Sequence, residues 1–171
     1  ELDYLAVAAN ILQKGITQSG RNGITKRLPF QTLDFNISQY LPLLTSRQIF
    51  YKSTLGEYAA FVRQPKHINT FKKFNCNYWD RWAGTNGDIN VDYGNKWINW
   101  EGENQYEQVL NELKTNPTSR RLLISGWDPS NLSKVDLPCC HYSYQFWSDG
   151  INLNLLWTQR SGDWMIGIPS D

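Results

Sequence analysis

Apolar positions recur with helical or strand spacing over most of the chain. Tyr4, Leu5, Ala8, Ile11 and Leu12 repeat at the period of a helix, and Gly15 closes it. Leu28 to Ile37 alternates around Phe30, Leu33 and Phe35, which predicts a strand pair or one long strand. A second helix is predicted from about Ser53 to Arg63, with Leu55, Ala59 and Val62 inward and Ser53 near its cap. Glu57 falls in the middle of that helix among small and apolar neighbours, an unusual place for a carboxylate. A third helix, Gln105 to Lys114, carries Tyr106, Val109, Leu110 and Leu113 inward and is stopped by Asn116-Pro117. Strand-like runs follow at Leu122 to Ser125, Tyr142 to Trp147 and Ile151 to Trp157. The last two flank Ser148-Asp149-Gly150, a hairpin signal. Between the second and third helices, Asn75 to Gly102 is rich in Trp, Asn, Asp and Gly and reads as short turns. The class is α+β.

The 171 residues suit one domain. Seventeen Lys and Arg against sixteen Asp and Glu exclude a polybasic nucleic-acid tail, an acidic disordered chain and an electrostatic membrane binder. Eight Trp provide large aromatic area for a core or a stacking pocket. They also raise the idea of a single-strand nucleic-acid binder, but there is no basic stripe to support it. No run approaches the length of a membrane span, and Glu1–Asn10 lacks the shape of a signal peptide. Cys76, Cys139 and Cys140 show neither zinc-ligand spacing nor a disulfide framework, so no metal is expected. A soluble, cytoplasmic protein is therefore expected. Gly167-Ile168-Pro169-Ser170-Asp171 ends the chain straight after a strand, and the expectation is one domain over residues 1–171 that is incomplete at its C-terminus.

Cys140 lies in Leu137-Pro138-Cys139-Cys140-His141, just before a predicted strand, where it can be a nucleophile if an electropositive neighbour favours its thiolate. A small buried hydrophobe is the competing reading of any such cysteine. Adjacent His141 adds little, since neighbours on a strand point to opposite faces. Arg21 between the glycines of the loop Gly20-Arg21-Asn22-Gly23, the pair Arg120-Arg121, and Arg160 in Gln159-Arg160-Ser161 all sit beside small or polar residues. Arginines so placed suit a phosphate dianion, although each taken singly is equally a solvated charge. A carboxylate such as Glu57 on an apolar helix face suits general acid–base work.

Taken in order, several motifs resemble the thymidylate synthase family. They are Tyr78-Trp79-Asp80-Arg81-Trp82-Ala83, Asn86-Gly87-Asp88, Tyr93-Gly94-Asn95-Lys96-Trp97, the Arg120-Arg121 stretch through Asp128-Pro129, the Cys140-His141 segment, and Gln159-Arg160-Ser161-Gly162-Asp163. The resemblance covers essentially the whole chain. It implies an α+β fold with a mixed sheet and flanking helices, and 5,10-methylenetetrahydrofolate-dependent transfer of one carbon to C5 of a pyrimidine deoxynucleoside monophosphate. Cys140 would add to C6 of the base. Arg160 would hold the phosphate and favour the thiolate, with Arg21 and Ser161 completing the phosphate site. Arg120 and Arg121 would reach in from the second subunit of a homodimer. Glu57, Tyr93 and His141 would organise protons and water. Asp171, Gln159 and Asp163 would read the base, and Trp79, Trp82, Leu137 and Asp163 would contact the folate.

Three departures from the family pattern matter. Cys139 stands where a proline is usual, and only Cys140 is in register with the nucleophile. Asn90-Val91-Asp92 replaces the usual residues before Tyr93. Asp171 stands where synthases carry an asparagine, and an ionised Asp accepts from a cytosine amino group but not from uracil O4. A dCMP or dUMP hydroxymethylase is therefore the alternative to a dUMP-to-dTMP synthase. Trp79, which would keep water away, leans toward the synthase. A truncated homologue that binds nucleotide without turnover is a further alternative.

Overall fold

The computed structural model describes residues 1–20 and 23–171, so Arg21 lies outside the described residues. The chain divides into two compact units, residues 1–49 with 163–171, and residues 50–162.

In the first unit, helix α1 (Leu2–Lys14) leads into an antiparallel pair, β1 (Ile16–Gly20) and β2 (Gly23–Arg27). Gly15 ends α1 because its backbone must pass close to the last turn: a Cβ there would sit 2.3 Å from the Ile11 carbonyl. Tyr4 is the buried side chain of α1. Its ring stacks on Trp164 at 5.3 Å, its hydroxyl donates to the Trp164 carbonyl at 2.7 Å, and the Trp164 indole donates to the Tyr4 carbonyl at 3.1 Å. The Glu1 carboxylate accepts from Thr45 Oγ1 at 2.6 Å and from the Ser46 N–H at 2.5 Å, and these bonds hold its pKa down at about 2. No strand forms over Leu28 to Ile37, against the alternating pattern. Pro29 has no N–H to give a ladder, and Phe30 at φ 54° turns out of the extended path, leaving its ring wholly exposed.

The second unit contains α2 (Tyr51–Phe61), α3 (Asn69–Lys72), α4 (Asn95–Ile98), α5 (Gln105–Thr115) and an antiparallel sheet in the order β3 (Leu123–Ser125), β4 (His141–Ser148), β5 (Leu153–Gln159). The hairpin after β4 is locked by Asp149, whose carboxylate accepts the Ile151 N–H at 2.8 Å and the Asn152 N–H at 2.6 Å. Helix α2 forms where expected but presents a different face. Gly56, Ala60 and Phe61 are buried, while Leu55 points outward. The reason is close approach: a Cβ at Gly56 would lie 2.0 Å from the Phe74 carbonyl, so backbone seats against backbone on that side. In α5, likewise, Val109 is buried but Leu110 is exposed.

The core of this unit is aromatic. Phe61 meets Phe71, Trp79 and Trp97 edge-on at 5.5–5.8 Å and stacks on Tyr93 at 5.1 Å. Edge-to-face and offset contacts at such separations add about 0.5–1.5 kcal/mol per pair beyond area burial. Gly94 stands at φ 72°, and a Cβ there would overlap the Phe61 carbonyl at 1.8 Å, so only glycine lets the turn carrying Tyr93 lie against α2. Gln105 ties three elements together. Its amide donates to the Lys96 carbonyl at 2.7 Å and the Ser125 carbonyl at 2.8 Å, and accepts the Ser125 N–H at 2.8 Å. Gly126, at the end of β3, is equally confined: a Cβ would stand 2.7 Å from the Trp97 indole nitrogen and 3.4 Å from Cys139 Sγ. Among the described residues no helix is long and apolar enough to cross a membrane.

Candidate active site

Residues 137–140 lead into β4 and are gripped by the end of β5. Antiparallel pairing sets Gln159 opposite His141, which brings the next residue, Arg160, to the Cys140 segment. The Arg160 N–H donates to the Cys140 carbonyl at 3.0 Å. Its side chain forks onto two further carbonyls, Nε to Cys139 at 2.9 Å and Nη2 to Pro138 at 2.7 Å. A guanidinium has the rigid donor geometry for this, and its plane also lies over the Trp127 ring at 5.4 Å. A fixed positive charge thus stands beside the cysteine pair.

The two cysteines differ sharply. Cys139 is buried, its thiol donates to the His141 carbonyl at 3.1 Å, and burial pushes its pKa well up, which keeps it protonated. Cys140 is only half-buried, and its N–H donates to the Tyr93 hydroxyl at 2.8 Å. Tyr93 is itself buried, and burial followed by the neighbouring Cys140 thiol raises its pKa, so its hydroxyl stays a neutral donor and acceptor. Cys76 is buried elsewhere in this unit, where burial raises its thiol to about 11. Of the three thiols, Cys140 is the accessible one.

A contact path leads from Cys140 back to Glu57. The Tyr93 ring lies 5.5 Å from Trp79, and the Trp79 indole N–H donates to the Glu57 carboxylate. Tyr78 also feels that carboxylate: burial first, then the Glu57 charge, raises the pKa of its hydroxyl. His141 is buried at the start of β4, with its ring 5.3 Å from Tyr93 and 5.0 Å from Trp157. Trp82 is half-buried with the Arg81 guanidinium 5.1 Å over its ring. Leu137 is half-buried in a parallel bridge with Val91. Packing therefore gathers Cys140, Arg160, Tyr93, His141, Trp79 and Glu57, drawn from α2, the Trp-rich turns and the open end of the β4–β5 pair, where β4 begins and β5 finishes.

The remaining expected site residues are exposed or belong to the first unit. Ser161 is exposed just after Arg160. Arg120 and Arg121 are exposed before β3, where they line a cavity of about 370 Å³ with Glu112, Asn116, Thr118 and Ser119. Asp163 and Asp171 belong to the first unit. Asp163 accepts the Met165 and Ile166 N–H groups at 2.9 Å, and the Asp171 N–H donates to the Gly167 carbonyl at 2.9 Å.

A family model described as thymidylate synthase matches residues 2–171. The chain belongs to the thymidylate synthase family. Proteins named thymidylate synthase from the Coxiella burnetii strains Dugway 5J108-111, RSA 331 / Henzerling II and RSA 493 / Nine Mile phase I are each 36% identical to it over 174 residues. The match takes in 98% of this chain and 66% of each relative, so the chain spans just under two thirds of their length. Helices with antiparallel sheets agree with the α+β class of a thymidylate synthase-like fold. The sequence reading passed over Trp127 as a platform for Arg160, and it passed over the buried group of Asp92, Lys96, Asp128 and Asn131. The one signal for that group was an aspartate after Val91, directly before Tyr93, in a stretch that is otherwise core.

Proposed function

We propose that this protein takes part in 5,10-methylenetetrahydrofolate-dependent one-carbon transfer to C5 of a pyrimidine deoxynucleoside monophosphate, and that dUMP-to-dTMP synthesis is the reaction. The observation that carries the reading is the held state of Cys140: an accessible thiol whose N–H is fixed by Tyr93 and whose segment is bound by Arg160. A thiolate there adds to C6 of the base, and the electron pair displaced to C5 makes that carbon a nucleophile. Arg160, with Arg21 and Ser161, binds the nucleotide phosphate. Glu57, oriented by the Trp79 indole, serves proton transfer at the base, and Tyr93 and His141 order the adjoining polar groups.

The residues assigned to folate fit a flat heteroaromatic group. Trp82 and Leu137 are half-buried apolar surfaces against the core, and Trp79 is fixed by its bond to Glu57. Asp163 would add a polar contact. When bound, the folate supplies the one-carbon unit and, in the synthase reaction, the hydride. Arg120 and Arg121, exposed beside their cavity, are available to a second copy of the chain, which supports a homodimer with a shared phosphate site.

Asp171 favours a second reading. A carboxylate where synthases carry asparagine suits a cytosine amino group, and hydroxymethyl transfer to dCMP, or to dUMP with the Asp protonated, follows from it. Mass analysis of product after incubation with methylenetetrahydrofolate and either nucleotide separates these readings. A methyl gain on dUMP supports the synthase, and a hydroxymethyl gain on either nucleotide supports the hydroxymethylase. No product from either nucleotide overturns both.

A further inference from the structure

Beneath the Cys140 segment lies a buried polar cluster that the proposed chemistry does not use. Asp92, only 2% exposed, accepts at Oδ1 from the Asn131 amide at 2.8 Å. Lys96 donates its N–H to the Asp92 carbonyl at 3.2 Å and pairs through Nζ with Asp128 at 2.5 Å. Asp128 in turn accepts the Ser130 N–H at 2.9 Å and the Ser130 hydroxyl at 2.7 Å, which caps the short turn Pro129–Asn131. Asn90, two residues before Asp92, adds three bonds to the same loop. Its N–H meets the Asp136 carboxylate at 2.8 Å, its amide meets the Lys134 carbonyl at 2.7 Å, and its carbonyl accepts the Asp136 N–H at 2.8 Å. The loop so held, residues 128–136, runs directly into Leu137 and the two cysteines.

Two buried carboxylates and one partly buried ammonium are costly compared with apolar residues of the same size, which pack there without desolvation. What such a cluster provides that an apolar one does not is direction, because each bond fixes one atom against another. Here the bonds fix the turn carrying Tyr93 against the loop carrying Cys140, the two partners of the 2.8 Å bond between them. The groups facing Asp92 are Lys96 and Asp128 with Asn131, and, on the nucleophile segment, Cys139. The Asp92 charge is among the influences keeping the Cys139 thiol protonated, after burial and Cys140.

We propose that Asp92 is a positioning residue, which through Asn131 clamps the Tyr93 turn to the nucleophile loop and so determines which of the adjacent thiols is presented for reaction. The proposal rests on Cys140 being the nucleophile, but its test needs neither nucleotide nor folate. Iodoacetamide labelling of the 171-residue chain, followed by fragmentation of the peptides in tandem mass spectrometry to separate Cys139 from Cys140, reads all three cysteines separately, with Cys76 as the internal reference for loss of packing. In the unaltered chain Cys140 labels far faster than Cys139 or Cys76. Asp92→Ala is expected to lower the Cys140-to-Cys139 labelling ratio about tenfold while Cys76 stays protected, since small misplacements of reacting groups carry effects of this size and more. Asn131→Ala should do the same, the double variant should be no worse than either, and Asp92→Asn, which keeps the acceptor, should restore the ratio to within about threefold. An unchanged ratio in Asp92→Ala, a rise in labelling of all three cysteines together, or failure of Asp92→Asn to rescue would overturn it. Absence of nucleotide turnover in a chain that still labels selectively at Cys140 would count against the proposed reaction and leave the role of Asp92 standing.

Discussion

The two units use the same residue types to opposite ends. In residues 50–162 one group of large aromatics is interior: Phe61, Phe71, Trp79, Tyr93 and Trp97 touch one another and line the way from α2 to the cysteine pair. In residues 1–49 with 163–171, Phe30, Ile37, Tyr40 and Leu41 are exposed, and order comes from directional bonds such as those of Glu1 with Thr45 and Ser46 and of Tyr4 with Trp164. Tight packing limits how far a side chain can drift, whereas a few polar bonds fix only the atoms that make them. Cys140, Arg160, Tyr93 and Glu57 all belong to the packed unit.

That contrast is open to direct attack. The largest effect is expected at the thiols themselves. Cys140→Ser should abolish the covalent adduct with 5-fluoro-dUMP seen by mass spectrometry, while Cys139→Ser keeps it; the reverse pattern would assign the chemistry to the wrong cysteine. Next come the cores. Phe71→Ala should destabilise the second unit by about 3–5 kcal/mol, whereas Phe30→Ala should change stability by less than about 0.5 kcal/mol, both read from urea unfolding. Equal losses at the two positions would mean that Phe30 is covered in solution. Arg160→Lys keeps the charge but not the fork onto Pro138 and Cys139, and about a tenfold slower Cys140 adduct is expected. A rate matching the unaltered chain would show that charge alone suffices.

The smallest effect concerns acid. Lys96, then Ser130, holds the Asp128 carboxyl down at about 2 in the fold, below its ordinary value of 3.8. A carboxyl lowered by folding contributes stability that is whole above the ordinary value and is lost as pH falls through the folded one, here between about 4 and about 2. Asp128→Asn, which can still cap the turn, should therefore flatten the fall in Tm over that window. An unchanged acid limb would place the titrating group elsewhere.

Much of this was legible in the sequence, and the failures have physical causes. The α1 and α5 helices and the β4–β5 hairpin stood out because spacing, caps and turn residues agreed. Helix α2 was visible but not its buried face, since Gly56 lets the backbone pack where a pattern of large apolar residues puts Leu55. The Leu28–Ile37 alternation misled because Pro29 and Phe30 break a strand locally, whatever the pattern around them. Cys140, Arg160 and Glu57 could be picked out as residue types in unusual settings. Their convergence followed only from the family resemblance and not from spacing, because it depends on pairing between β4 and β5 and on aromatic contacts far apart in the chain. The Asp92 cluster was hidden for the same reason: its members come from two loops and carry no spacing signature.

Gly126 has a consequence for how this chain can change over generations. Any side chain there meets the indole of Trp97, which is fully enclosed and cannot swing aside. Alanine at 126 becomes admissible only after position 97 has shrunk, and shrinking it first opens a void in the aromatic core. The two sites are thus coupled, with a deleterious intermediate whichever changes first. Because Cys139 Sγ touches the same spot, drift at 126 is also drift beside the Cys139-Cys140 pair. A glycine with no chemistry of its own thereby sets which mutational paths stay open to the residues that have it.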